Sequence, residues 1–482
     1  MRKISIIIIT AIVFVSCNKD FLDVNDTPNN PLEVPPSVIL PNTTIGMAFA
    51  NANDLNRATS LIVQHIAGVA SQSATYDVYS LDGAFDNQWN FEIYGGTLNN
   101  LQVLIDQYSI TSPAYSGVAK LEMAYVFSMA ADIWGDVPYS EAGKGLKFET
   151  PRFDKVEDIY QGNATLGITS LFDLVKDGMA DLDKTSLLKP GADDKVYGGD
   201  LTKWKKMGNT LLLKFAIQVS NKNPTLAKST IQSVLTGNNF INTNALDFEV
   251  PFASAVGNRN PIFDFNNNLR TGDQMLSSRL LALSRTLNDT VRLSKFFTKP
   301  GGSFIAFNNG ATTTAPAVAT RSKYNTYLTG AVGGEAPIRL LTNFQTNFIL
   351  AEAILNLGIP GDANAYYQAG IKASMQKIGM TTAEIDNYFL TNPTIVTLAG
   401  TNSEKLNQII TQKYMAWIGN GIEAYNDYRR TGYPLLTLPL NATGDNPNVV
   451  PTRLPYTSAE LARNPNAPKP RPKTDVKLWW AL

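Results

Sequence analysis

The chain has little of what most enzymes use for covalent or metal chemistry. Its 482 residues include one cysteine, Cys17, and one histidine, His65. A lone cysteine excludes an intramolecular disulfide and any multi-cysteine metal site. A lone histidine excludes a His-rich metal centre, and a Ser-His-Asp triad would have to use His65 itself. No Gly-x-Ser-x-Gly elbow is present to serve one. His65 shares an apolar helical face with Leu61, Ile62, Ile66 and Val69, so it reads as a hydrogen-bonded core residue. Charge of one sign is lacking too. The 41 basic and 41 acidic residues balance, which leaves no basic face for a polyanion and argues against nucleic acid as a partner. No catalytic residue, cofactor or metal ligand is expected. Paired carboxylates have no fixed spacing in sequence, so a glycoside hydrolase stands as the enzymatic alternative.

Long apolar runs are absent except at the N-terminus. Arg2 and Lys3 precede the nearly unbroken apolar stretch Ile4–Val15, and Ser16 places a small residue before Cys17. This is the plan of a secretory signal over residues 1–16. The stretch is too short for a hydrocarbon core that needs roughly 20 residues. Phe14-Val15-Ser16-Cys17 resembles a bacterial lipobox, with Phe14 where Leu is usual, so Cys17 is the expected lipidation site. Acyl chains there would hold the protein to a membrane at about 0.8 kcal/mol per buried CH₂. Loss of residues 1–16 removes Arg2 and Lys3 and no acid, leaving a small acidic excess. Residues 17–36, rich in Asp, Asn and Pro, read as the lipidated cysteine and a flexible tether. Residues 37–482 read as a single binding domain.

That domain is patterned for helices. Trp204, Met207, Leu211, Phe215 and Val219 outline one, stopped by Asn223-Pro224, and Gly198-Gly199-Asp200 supplies its turn and N-cap. Leu121, Tyr125 and Met129 outline another, leading to Trp134. Phe344, Phe348, Ala351 and Leu355 form a helix closing at Gly358, and Ala365, Tyr366, Ala369 and Ala373 form the next. These two make a hairpin resembling a tetratricopeptide unit. Residues 71–100, 251–275 and 300–335 read as long loops, a length uncommon without a functional demand. The proline-rich stretch 446–472 reads as irregular chain packed down by Leu454, Tyr456 and Leu461.

Several phrases occur in a fixed order. Val24-Asn25-Asp26-Thr27-Pro28-Asn29-Asn30-Pro31 comes first, then Asp132-Ile133-Trp134-Gly135-Asp136-Val137-Pro138-Tyr139-Ser140-Glu141-Ala142. Ala351-Glu352-Ala353 and Gln412-Lys413-Tyr414 follow, and Glu423-Ala424-Tyr425-Asn426-Asp427-Tyr428-Arg429-Arg430-Thr431-Gly432-Tyr433-Pro434 closes the series. Together they resemble the SusD/RagB family of Bacteroidetes nutrient-binding lipoproteins, in its SusD-like branch. The resemblance implies a mostly α fold with tetratricopeptide-like helix pairs and long ligand-binding loops. It implies a lipid-anchored protein on the outer membrane, facing the cell exterior. An oligosaccharide or peptide would be its ligand, and a SusC-like TonB-dependent transporter its partner. A helical-repeat scaffold that binds only protein is the remaining alternative.

A glycan site needs flat apolar faces for C–H surfaces and planar amides or carboxylates for hydroxyls. Tyr76 to Phe91 holds both, and Trp89, Tyr79, Asp86 and Asn87 are the expected ligand contacts. The phrase Phe263-Asp264-Phe265-Asn266-Asn267-Asn268 is a second candidate, although Asn runs also cap turns.

Overall fold

The computed structural model describes residues 34–482. Cys17, the signal segment 1–16 and most of the tether 17–36 lie outside the described residues.

The architecture is helical, with three short two-stranded ribbons. The principal helices are α1 (Pro36–Ala52), α2 (Asp54–Ile62), α3 (Asn99–Tyr108), α4 (Pro113–Trp134), α5 (Leu171–Asp181), α6 (Leu201–Val219) and α7 (Pro224–Gly237). Further on come α8 (Ser278–Thr286), α9 (Asn343–Leu357), α10 (Ala363–Lys377), α11 (Thr382–Thr391), α12 (Asn402–Ala416) and α13 (Gly421–Thr431). Helix α4 is buried on every side, which explains its lack of a polar face. It crosses α5 where two glycines meet. A Cβ on Gly117 would lie 2.7 Å from the Gly178 carbonyl oxygen, so only glycine permits this approach. The expected hairpin is α9 and α10, and its N-cap is Asp362, which accepts from Asn364 and Ala365 amides. Asp200 caps α6 through the amides of Thr202 and Lys203. Its neighbour Asp194 is not the solvated turn residue its sequence context implies. It is buried, and its carboxylate accepts from Trp204 Nε1 at 2.8 Å and from the amides of Val196, Tyr197 and Gly199.

One expected helix is cut short. The face through Leu61, His65 and Val69 ends at Ile62, because Gln64 turns left-handed at φ +63°. The chain then enters β1 (Ile66–Gly68), which pairs antiparallel with β5 (Gln274–Leu276). This ribbon sets the chain around residue 70 beside the chain around residue 270. The other ribbons join β2 (Val137–Pro138) to β3 (Phe153–Asp154) and β4 (Phe248–Val250) to β6 (Ile338–Leu341). Among the described residues no helix is long and apolar enough to cross a membrane.

The ordered phrases build the core. Asp132 accepts from Tyr160 Oη at 2.9 Å and from Asn426 Nδ2 at 3.0 Å, joining α4 to α13. Trp134 Nε1 donates to the Pro455 carbonyl at 3.0 Å, and Tyr456 Oη donates to the Asp136 carbonyl. The proline-rich tail is thereby fastened over the Trp134 phrase, with Leu454 and Tyr456 buried. Arg430 pairs with Glu352 and Asp427, and Lys413 Nζ lies 3.0 Å from Asp427, tying α9, α12 and α13 together. Burial alone would raise the Asp427 carboxyl, but Lys413 and Arg430 outweigh it and hold the group below its ordinary range.

Candidate functional site

The segments read as ligand loops are not structureless. Ser71–Asp77 is helical, and Gln88–Leu98 and Asp264–Leu269 wind as wide helices of the i→i+5 type. These are the two segments of this type among the described residues, and such winding recurs at functional sites. In the first, Thr97 Oγ1 donates to the Glu92 carbonyl five residues back at 2.7 Å. A Cβ on Gly95 would lie 2.4 Å from the Asn90 carbonyl oxygen, and one on Gly96 2.3 Å from that of Phe91. The glycine pair is what lets the backbone stack so closely. In the second, the amides of Asn266 and Asn268 bond back to the Ile262 carbonyl and the Asp264 carboxylate, at 2.9 and 2.6 Å.

Both wound segments converge on the start of α2. Asn53 Nδ2 donates to Glu92 Oε1 at 2.7 Å, which ties the first segment to this turn. The Arg57 guanidinium lies 3.8 Å over the Phe265 ring, which ties the second. Between them runs a cleft lined by Asn53, Asn56, Arg57, Phe265, Asn266 and Tyr324. Across Ile262 it adjoins a pocket bounded by Asn51, Asn260, Tyr327, Arg339, Trp417 and Asn420. The depth available is small, about 10 Å³ in the cleft and 20 Å³ in the pocket. That is room for single waters, so any larger molecule would lie along the mouth and not inside.

Two carboxyls brace the cleft wall from behind, Glu92 through Asn53 and Asp54 through Arg57. Burial pushes Glu92 up to about 7, against the pull of Asn53, and its Oε2 has no hydrogen-bond partner. Asp54 is held on both oxygens, Oδ1 by Arg57 and Oδ2 by Tyr76 Oη at 3.1 Å. Phe91, one residue before Glu92, is 71% exposed and presents an uncovered ring.

The four expected ligand contacts fall in different places. Trp89 is 2% exposed, with its ring centroid 4.8 Å from Tyr94, 5.0 Å from Trp134 and 6.2 Å from both Phe153 and Tyr456. Tyr79 is equally buried, at φ +67°, and its hydroxyl has no partner. Neither ring offers a face to a sugar in this structure, because both are used to pack the segment onto the core. Asp86 is half-buried and accepts from the Ala459 amide at 3.2 Å, while Asn87 is exposed. This segment touches the cleft wall indirectly, through Glu92, which holds the lining residue Asn53 and takes a bond from Gln88 at 3.4 Å. The second candidate phrase does reach the cleft, through Phe265 and Asn266. His65 is fully buried and pushed down to about 3 by that burial, and its Nε2 donates to the Tyr414 carbonyl at 3.1 Å.

Residues 28–457 match the SusD-like_2 family, described as starch-binding associating with outer membrane. The match spans most of the sequence, and the chain belongs to this family. A comparison with curated proteins finds no match. Among solved structures, a chitin-binding protein superposes with a TM-score of 0.77 at 24% identity, over 93% of this chain and 100% of its own. A SusD homologue from Bacteroides fragilis gives 0.73 at 24% identity, over 89% and 94%. A chitin-binding SusD homologue from Flavobacterium johnsoniae gives 0.73 at 20% identity, over 92% and 98%. The fold is therefore the mostly α, SusD-like one, with its tetratricopeptide-like helix pairs.

Proposed function

We propose that this protein is a lipid-anchored, non-enzymatic glycan receptor of the outer membrane. It binds an oligosaccharide along the Arg57–Phe265 cleft and passes it to a SusC-like TonB-dependent transporter. The observation that carries the reading is a shallow cleft lined by the second wound segment and tied through Asn53 to the first, in a family described as starch-binding. Two structurally similar proteins are described as chitin-binding, so starch and chitin fragments are the first ligands to try. Phe91 supplies an uncovered ring, and Asn53, Asn56 and Asn266 supply planar amides of the kind hydroxyls bond. Cys17 carries the anchor, and the acidic segment after it serves export to the cell exterior.

The test is titration calorimetry of the protein in detergent against chitotetraose, maltotetraose and a mixed peptide pool. Burying about 80 Å² of the Phe91 ring is worth about 2 kcal/mol, or roughly 30-fold in affinity before ordering costs. Phe91→Ala should therefore weaken glycan binding by about tenfold, and Phe265→Ala should weaken it as well. Binding of peptides alone, or glycan binding indifferent to both changes, would sink the reading.

A further inference from the structure

A second pocket lies apart from the cleft and shares no lining residue with it. It encloses about 280 Å³ between the turn after α2, the start of α8, Asn308 and the segment Thr437–Leu440. Unlike the cleft, it has room for a sugar ring.

Its polar groups are left unanswered by the protein. Gln64 is 2% exposed, and its Nε2 donates to the Thr437 carbonyl at 2.6 Å. That bond fixes the amide, and the other end, Oε1, has no partner. Arg279 gives one Nη2 bond to the Leu435 carbonyl, while its Nε has no acceptor. Among the described residues no carboxylate lies within 4.0 Å of this guanidinium. Buried donors and acceptors are nearly always paired in folded proteins, so two unpartnered groups on one pocket wall mark a place where something else binds. The backbone points the same way. Gln64 breaks an otherwise continuous apolar helical face by adopting φ +63°, an arrangement disfavoured for a residue with a Cβ.

The unfilled partners define the ligand. A half-buried guanidinium that lines a pocket and has no carboxylate partner matches a carboxylate. The free Gln64 Oε1 requires a donor beside that carboxylate, as a ring hydroxyl would be. Exposed Leu438 and Leu440, with Pro439 between them, give an apolar wall for the C–H face of a pyranose. We infer that this pocket takes the carboxylated residue of an acidic oligosaccharide, with its carboxylate on Arg279 and a ring hydroxyl on Gln64. The inference rests on the glycan-binding reading and adds a charge preference to it.

Tetragalacturonate is the probe, with maltotetraose as its neutral counterpart and tetra-alanine as a carboxylate without a sugar. Calorimetry should show tetragalacturonate binding at least tenfold tighter than maltotetraose, and weakening as salt is raised. Arg279→Met keeps the apolar stem and should cost at least tenfold toward tetragalacturonate while leaving maltotetraose unaffected. Arg279→Lys, which keeps the charge, should recover part of the loss, and melting curves report whether each variant folds. The exposed Asn308→Ala probes the rim without disturbing the core and should weaken tetragalacturonate by a few-fold. Equal affinity for the acidic and neutral glycans, or indifference to Arg279→Met, would overturn the inference and leave the receptor reading standing. Arg279-dependent binding of tetra-alanine without tetragalacturonate would overturn the sugar assignment. Failure of every glycan to bind would take both proposals down together.

Discussion

Trp89 provides the sharpest test of the difference between an aromatic that binds and one that packs. Removing the side chain in Trp89→Ala deletes a ring that touches four other aromatics and is 2% exposed. Large-to-small changes of this kind cost about 3–5 kcal/mol, since the lost transfer energy is joined by a cavity that relaxes only in part. For roughly 450 residues at about 2.1 cal/mol/K each, the unfolding entropy is about 0.9 kcal/mol/K. The melting temperature should therefore fall by about 3–5 °C. Phe91→Ala, two residues away, removes an exposed ring, and its stability should stay within about 0.5 kcal/mol, a shift under 1 °C. Scanning calorimetry of both variants, followed by ligand titration well below either transition, separates the roles. Trp89→Ala should melt early and bind nearly normally, whereas Phe91→Ala should melt normally and bind weakly. A Trp89→Ala protein that keeps its melting temperature while losing its ligand would refute the packing argument and restore Trp89 as a platform.

Glu122 is fully buried and pushed up to about 8, so the folded protein holds a proton there that the unfolded chain releases near its ordinary 4.5. Stability from this site should be full below about 4.5 and decline as pH rises toward 8. Glu122→Gln mimics the protonated form against Thr43 and Thr44, so it should raise the melting temperature at pH 8 and leave it unchanged near pH 4. An equal shift at both values would contradict the assignment. Arg430→Met strands the Glu352 carboxylate in the core and should cost about 3–5 kcal/mol in chemical denaturation. Adding Glu352→Gln should recover part of that loss, and strict additivity of the two would show that they do not act as a pair. Gly96→Ala drives a Cβ into the Phe91 carbonyl and should cost about 1–3 kcal/mol by the same assay, with a matching loss of glycan affinity as the wound segment shifts.

Much of the scaffold was legible because helices announce themselves locally. The caps at Asp200 and Asp362 and the α9–α10 hairpin follow from neighbouring residues alone. The i→i+5 winding at Gln88–Leu98 has no such signature. Trp89, Phe91 and Ile93 alternate at the strand period, and the Gly95-Gly96 pair reads as a loop until the carbonyls behind it are seen. Trp89 misled for a different reason. Its burial depends on Trp134, Phe153 and Tyr456, and composition within one segment says nothing about partners in other segments. The Gln64 turn was hidden by an apolar periodicity that continues through Val69 although the helix does not.

The placement of the ordered phrases explains why they identify the family without identifying a ligand. Asp132, Trp134, Glu352, Lys413, Asp427 and Arg430 all hold helices or the tail together inside the core, where a change of identity exposes an unpaired charge or a cavity. The groups proposed to meet a ligand sit elsewhere, at Phe91, Phe265, Gln64 and Arg279, outside the ordered phrases. On that reading, substitution at exposed Phe91 or half-buried Arg279 alters what is bound at little cost to the fold. Ligand preference should accordingly change through the cleft and the Arg279 pocket while the Asp132–Asn426 and Glu352–Arg430 links stay intact. A charge-reversing change at Arg279 then tests specificity alone, and one at Arg430 tests whether there is a folded protein to be specific.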